Sequence, residues 1–295
     1  MHADEVHTDA ALVRRLIASQ FPQWSELPIR PLAASGTVNS LFRLGDDMVV
    51  RLPRRTGHDV ESDHATLRRL APLLPLEIPE PLALGLPGEG YAGSWCIDRW
   101  VDGEHPVAGE TTSALALEIA TFIATLRRID TAGAPPSGRG NTLRRFDAAT
   151  REAITQLTGT IDAAAATAAW DEALAAPEWS GAPVWIHGDL MPANLLVRVG
   201  RLTGVLDWGG AGIGDPAIDL AVAWNTLSPP MRKLFRSSLD PDDAAWRRGR
   251  GWALWTGLVA LPYYRETNRI LAENARYRIN EVLAETTDSP AARGP

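Results

Sequence analysis

Cysteine occurs once in the 295 residues, at Cys96, and lysine once, at Lys233. A single thiol excludes an intramolecular disulfide and any cysteine-rich metal site, which leaves Cys96 to be read as a small buried hydrophobe. The near absence of lysine puts almost every positive charge on arginine. No apolar run approaches the roughly 18 residues of a membrane span, and the opening MHADEVHTDA is polar and acidic. The expectation is a cytoplasmic chain with no membrane partner. An excess of basic charge is missing too: 29 basic against 36 acidic side chains give a net charge of −7. That argues against nucleic acid, whose phosphates need a clustered basic face. The six histidines are scattered, which argues against a zinc site. No repeat recurs at a fixed period, and low complexity is confined to AAAATAA, Ala163 to Ala169, a helix by propensity.

What the sequence does have is a hydrophobic content of 45%, enough for a real core. Between Ile29 and Leu52 short β-type runs, LFRL and MVVRL, alternate with turn signals at Ser35-Gly36 and Gly45-Asp46-Asp47. This predicts hairpins of an antiparallel sheet. From Glu61 to Leu74 the pattern is helical, until Pro72, Pro75, Pro79 and Pro81 interrupt it ahead of another β-type run, SWCIDRWV, from Ser94 to Val101. Residues 1–101 are thus expected to form a small sheet crossed by one helix.

After Asp102-Gly103 the character changes. Leu115, Ile119, Phe122, Ile123 and Leu126 recur close to the 3.6 period of a helix. A loop, AGAPPSGRGN, precedes a second helical stretch from about Phe146 to Ala176. Two short β-type segments follow, VWIHG and NLLVRV, then GVLDWGG and further helix to near Ala284. Residues 102–295 are expected to form a mostly helical lobe with a frayed end.

The strongest signal is PVWIHGDLMPANLLV, Pro183 to Val197, followed by GRLTGVLDWGGAGIGDPAIDLA, Gly200 to Ala221. The first segment is similar to the catalytic loop of protein kinases, H-R-D-L-x-x-x-N, with Gly188 in place of the arginine, and Asp207-Trp208-Gly209 looks like the kinase D-F-G. With His-Gly-Asp and the downstream GDPAIDLA, the chain resembles the aminoglycoside phosphotransferase family more closely than the protein kinases, from about Ile29 to about Tyr264. The resemblance implies an α+β, protein-kinase-like fold of two lobes, a small antiparallel sheet lobe and a larger helical lobe. It also implies an enzyme that moves a phosphoryl group from ATP or GTP to a hydroxyl of a small molecule, with Mg2+ as cofactor. Aminoglycoside or macrolide antibiotics are the leading acceptors. A metabolic kinase acting on an amino alcohol or sugar, or a kinase-fold binding protein that has lost activity, would share the motifs.

Phosphoryl transfer through a loose transition state asks mainly for positioning and charge neutralisation. By resemblance, Asp189 meets the acceptor hydroxyl, while Asn194, five residues on past Pro192, and Asp207 hold the metal. His187 and Asp219 are read as structural, Asp219 as an acceptor for the catalytic-loop backbone. The run AASGTVNSLFRL occupies the place of the phosphate-covering hairpin, with Ser35, Gly36 and Thr37 at its turn. Arg51 stands where the kinase fold places its phosphate-gripping lysine, and Asp63 where that lysine's helical partner stands, with Glu61 as the nearby alternative. Arginine binds phosphate through a planar fork, so the exchange is compatible with nucleotide binding. The strand's V-x-R-x-P-R-R pattern also resembles macrolide phosphotransferases, which opens the donor to GTP. Arg99 and Val101 are the expected hinge residues at the nucleobase, with Trp100 packing beside them. Acceptor recognition would fall to the helical lobe, where Trp252, Trp255, Tyr263 and Tyr264 are read mostly as core, and Glu266 and Glu273 as solvated helix face.

Overall fold

The computed structural model describes residues 8–32, 39–55, 57 and 59–287. The chain divides into two compact units, the first made of residues up to Asp102 together with Gly204–Trp208, the second of Gly103–Thr203 and the residues from Gly209 onward.

In the first unit helix α1, Ala10–Gln20, starts where Asp9 accepts the amide of Leu12 at 2.7 Å. Strands β1 (Ile29–Pro31), β2 (Asn39–Leu44) and β3 (Met48–Pro53) precede helix α2 (Val60–Leu70), which Asp59 caps. Strands β4 (Pro81–Gly85) and β5 (Trp95–Arg99) complete an antiparallel sheet in the order β1-β2-β3-β5-β4. The β2–β3 turn falls at Gly45, whose φ of 60° lies in the left-handed region that glycine enters freely, and Leu44 pairs with Met48 across it. Leu12, Val13, Leu16 and Ile17 of α1 pack on Phe42, Leu44, Val50, Leu52, Trp95 and Ile97 of the sheet. Among the described residues the small lobe therefore has two α-helices instead of the one expected. Leu12, Leu16 and their neighbours carry the helical spacing, but in a segment too short and too polar around them to stand out. Strand β4 was also not expected; its leading Pro81 is tolerated because β4 lies at the sheet edge, where a missing N–H breaks no central ladder.

The second unit begins with α3, Ser113–Leu126, capped by Thr112, and continues through α4 (Asp147–Gln156) and α5 (Ala163–Ala175). The single helical stretch expected from Phe146 to Ala176 is thus two helices. The break falls at Thr158-Gly159-Thr160, where Gly159 has a φ of 84° that no right-handed helix allows. Strands β6 (Val184–Ile186), β7 (Leu195–Arg198), β8 (Arg201–Val205) and β9 (Gly212–Gly214) follow, β6 pairing antiparallel with β9 and β7 with β8. Helices α6 (Val222–Asn225), α7 (Pro229–Leu239), α8 (Asp243–Tyr264) and α9 (Arg269–Thr287) close the unit. Its core is aromatic, with Phe122, Trp170, Trp185, Trp224, Phe235 and Trp252 fully buried. No helix among the described residues is long and apolar enough to cross a membrane.

Candidate active site

The catalytic-loop motif lies wholly in the second unit, where β6 ends at Ile186 and the chain turns through His187-Gly188-Asp189. Gly188 has a φ of 80°, so the turn takes a glycine where the protein-kinase pattern has arginine. Asp219, fully buried, accepts the amides of His187 at 3.0 Å and Gly188 at 2.8 Å, and burial raises its carboxyl above the usual range against the pull of those hydrogen bonds. His187, also fully buried, accepts the Asp189 amide at Nδ1, 3.2 Å away. Three successive amides of the loop are thereby fixed by two buried side chains, which leaves the Asp189 carboxylate as the part that reaches solvent, 31% exposed.

Asn194 ends the 3-10 turn that Pro192 starts. Its side-chain amide donates to the Asp189 backbone carbonyl at 2.9 Å and to Asp189 Oδ2 at 3.3 Å. With the amide nitrogen so engaged, Asn194 Oδ1 is left without a protein partner among the described residues. A neutral oxygen of this kind is one of the hard donors that magnesium takes.

Sequence reasoning missed Arg139. Its Nη1 lies 2.5 Å from Asp189 Oδ1 and donates to the Gly188 carbonyl at 3.1 Å. The loop carrying it is stitched to β9: Ile213 donates to the Pro135 carbonyl, Ser137 donates to the Ile213 carbonyl, and the Asp215 amide donates to the Gly140 carbonyl. Gly140 and Gly214 make this possible, because a Cβ on Gly214 would stand 2.4 Å from the Gly140 Cα. The GRG within AGAPPSGRGN was the available signal, two glycines holding one arginine.

The acids of GDPAIDLA are both structural. Asp219 serves the catalytic loop, while Asp215 caps the following turn at Ala217 and pairs with buried Arg248 at 2.8 Å. Trp252 is core against Phe146, and Trp255 is half-buried with its indole N–H unpartnered among the described residues. Glu266 and Glu273 are exposed beside Arg265 and Arg269, on a solvated face as expected.

The residues expected on the nucleotide side belong to the first unit. Ser35, Gly36 and Thr37 lie outside the described residues. Arg51 on β3 is almost buried, and its Nη1 meets Asp98 Oδ2 at 3.3 Å. Asp98, fully buried, also binds His64 Nε2 at 2.9 Å, and the Cys96 thiol stands 3.8 Å from it. Asp63 lines the same cavity as Arg51, His64 and Cys96, while Glu61 is exposed. Burial alone would lower the Arg51 pKa, but its acidic neighbours, the carboxylates of Asp98, Asp207 and Asp63 among them, outweigh it and hold the guanidinium above its ordinary value. Arg51, Asp63 and Asp207 therefore share one electrostatic neighbourhood, with Asp98 as a member that the sequence did not reveal. His64, Cys96 and Asp98 lie within 4.8 Å of one another, though Arg51 puts a positive charge where a cation would need to sit. Asp207 itself has a φ of 61°, a strained conformation for a non-glycine residue of the kind that functional sites retain. At the expected hinge, the Arg99 amide donates to the Glu80 carbonyl and its side chain pairs with Glu80, whereas the Val101 amide makes no backbone hydrogen bond among the described residues.

The model of the phosphotransferase enzyme family (APH) matches residues 29–278. The chain belongs to that family. An aminoglycoside 3'-phosphotransferase of Escherichia coli is 51% identical over 45 residues, which cover 15% of this chain and 17% of that protein. Among solved structures, the GDP complex of aminoglycoside 2'-phosphotransferase-IIIa superposes with a TM-score of 0.74 at 21% identity, over 95% of this chain and 100% of that one. The macrolide 2'-phosphotransferase MphH of Brachybacterium faecium gives 0.60 at 22%, over 92% and 98%. At such identities the likeness is one of fold, and the fold of this family member is the two-lobed, kinase-like one expected.

Proposed function

We propose that this phosphotransferase moves the terminal phosphoryl group of ATP or GTP to a hydroxyl of a small molecule, with Asp189 as the residue that orients the hydroxyl. The acceptor oxygen bonds to the terminal phosphorus, the bond from that phosphorus to the β-phosphate oxygen breaks, and the hydroxyl proton passes to Asp189 and on to water. The products are a phosphate monoester and a nucleoside diphosphate. The observation that carries the reading is the treatment of Asp189: its backbone is fixed by His187 and Asn194, its carboxylate alone stays accessible, and the loop beneath it hangs on Asp219. Fixed geometry is what this reaction needs from a protein, since there is little covalent chemistry for side chains to perform.

Asn194 and Asp207 would hold Mg2+, which when bound neutralises charge on the donor's phosphates. Arg51, kept charged by its acidic neighbours and oriented by Asp98, would bind those phosphates as a fork. Asp63 would tune the same guanidinium, Ser35, Gly36 and Thr37 would cover the phosphates, and Val101 would read the nucleobase with Arg99 beside it. The GDP complex among the structural neighbours favours testing GTP beside ATP. Aminoglycosides and macrolides, after which the structural neighbours are named, are the first acceptors to test. A hydroxylated metabolite is the second reading, favoured by the arginines that gather at Asp189. The test is nucleoside diphosphate release and acceptor mass, measured with both nucleotides against antibiotics and hydroxylated metabolites; phosphate gained by one acceptor class supports the proposal.

A further inference from the structure

Asp189 is surrounded by more positive charge than it can balance. Arg139 touches its carboxylate and is itself 40% exposed, so one edge of the guanidinium remains available. Arg278 on α9 is the second cation. It is 5% exposed, its stem lies against Gly257 of α8, and Nη1 donates to Thr256 Oγ1 at 2.9 Å while Nη2 donates to the Asn274 side chain. Every one of those partners is neutral. Arg278 Nε has no partner, and among the described residues no carboxylate comes within ion-pair distance of the group. Burial lowers its pKa to about 10, and the ionisable groups that act on it are Asp189, Arg139 and Tyr264.

A buried cation without a counter-ion is costly unless an anion joins it. The position of Arg278 is not accidental looseness, because the group is wired to the catalytic loop. Asn274, which accepts from Arg278, donates to the Asn225 carbonyl at 2.8 Å, and the Asn225 side chain donates to the Leu190 carbonyl, next to Asp189, at 2.8 Å. One guanidinium touches the Asp189 carboxylate, and a second, buried one is linked to it by its electrostatics and by this hydrogen-bond chain. A polycationic acceptor would meet that surplus as repulsion, and the carboxylates that could have attracted it, Glu266 and Glu273, stand exposed beside arginines of their own.

We infer that the acceptor carries an anionic group beside its hydroxyl, a carboxylate as in a hydroxy acid, and that Arg139 is the residue that reads it, with Arg278 supplying the buried charge behind. This rests on the phosphotransferase reading above. A terminal phosphate of the nucleotide has the same chemistry, so the nucleotide KM is read beside the acceptor KM.

The test is steady-state transfer with matched acceptors: hydroxy acids such as glycerate and gluconate, the neutral polyols glycerol and glucose, and the amino sugars glucosamine and kanamycin. The inference expects transfer to the hydroxy acids with kcat/KM at least tenfold above their neutral counterparts. In Arg139→Gln the KM of the hydroxy acid should rise about tenfold or more with a smaller change in kcat, and Arg139→Lys should recover part of it. Arg139→Glu should move the preference toward amines, which a merely structural role would not do. Transfer confined to polyols or amino sugars overturns the inference and leaves the phosphotransferase reading intact. A rise in nucleotide KM alone in Arg139→Gln assigns the charge to the donor and also overturns it. No transfer to any acceptor with either nucleotide removes both.

Discussion

Arg51 stands opposite Cys96 across the β3–β5 ladder, yet its ion pair is with Asp98, two residues further along β5 and on the same face, at 3.3 Å. Side chains of one face meet diagonally at this spacing. The resemblance to the protein-kinase fold leads one to expect a strand lysine and a helix acid at this place; in this chain a strand acid meets the strand cation.

We predict that a double-mutant cycle of Arg51→Ala with Asp98→Asn, read by nucleotide affinity, gives a coupling of about 0.5–3 kcal/mol, the range for residues in contact. Asp63, which lines the same cavity and raises the same guanidinium, should couple as well, and exposed Glu61 should not. Additive effects of Arg51 and Asp98 would remove the pair from nucleotide binding. In denaturant melts Asp98→Asn should cost about 3 kcal/mol, since breaking a buried pair leaves one charge uncompensated.

Asp189→Asn should leave nucleotide affinity near its starting value and lower transfer by about 100-fold or more, the scale of general acid–base and positioning contributions. Near-normal turnover in a folded variant would take Asp189 out of the chemistry.

Asp207→Ala should weaken nucleotide binding in the presence of Mg2+ and change it little in the presence of chelator, because it deletes a charged metal donor and leaves neutral Asn194. Calorimetry with and without the ion separates the two cases; unchanged magnesium dependence contradicts the assignment.

Asp219→Ala strands two buried amides, those of His187 and Gly188. The expected loss is about 2 kcal/mol or more of stability, with kcat falling further than the melt alone explains, because the loop under Asp189 loosens. Full activity at a lowered melting temperature would make Asp219 a stability residue only.

How much of this was legible in the sequence depended on the range of the interactions. Strands β2 and β3 follow from local alternation and the Gly45 turn, and the pairing of Asp189 with Asn194 follows from a motif whose spacing the loop imposes. Asp98 was hidden inside an apolar-looking run, SWCIDRWV, because its partners, Arg51 and His64, are fixed by strand register and helix docking. Arg139 was hidden in the same way: its approach to Asp189 depends on Gly140 meeting Gly214 at van der Waals limits, a contact between segments more than seventy residues apart. Strand β9 was missed because three residues, two of them glycine, carry no β signal.

The proposed role of Asp189 is to direct a nucleoside triphosphate's phosphoryl group onto an acceptor hydroxyl. Its most direct test is a single-turnover reaction with GTP or ATP and the acceptor panel, in which diphosphate formed and acceptor phosphate monoester are quantified together for the native chain and Asp189→Asn. One phosphate monoester per diphosphate is expected, with a rate about 100-fold or more lower in the variant. Diphosphate released with no phosphorylated acceptor, or equal rates in the two proteins, would contradict it.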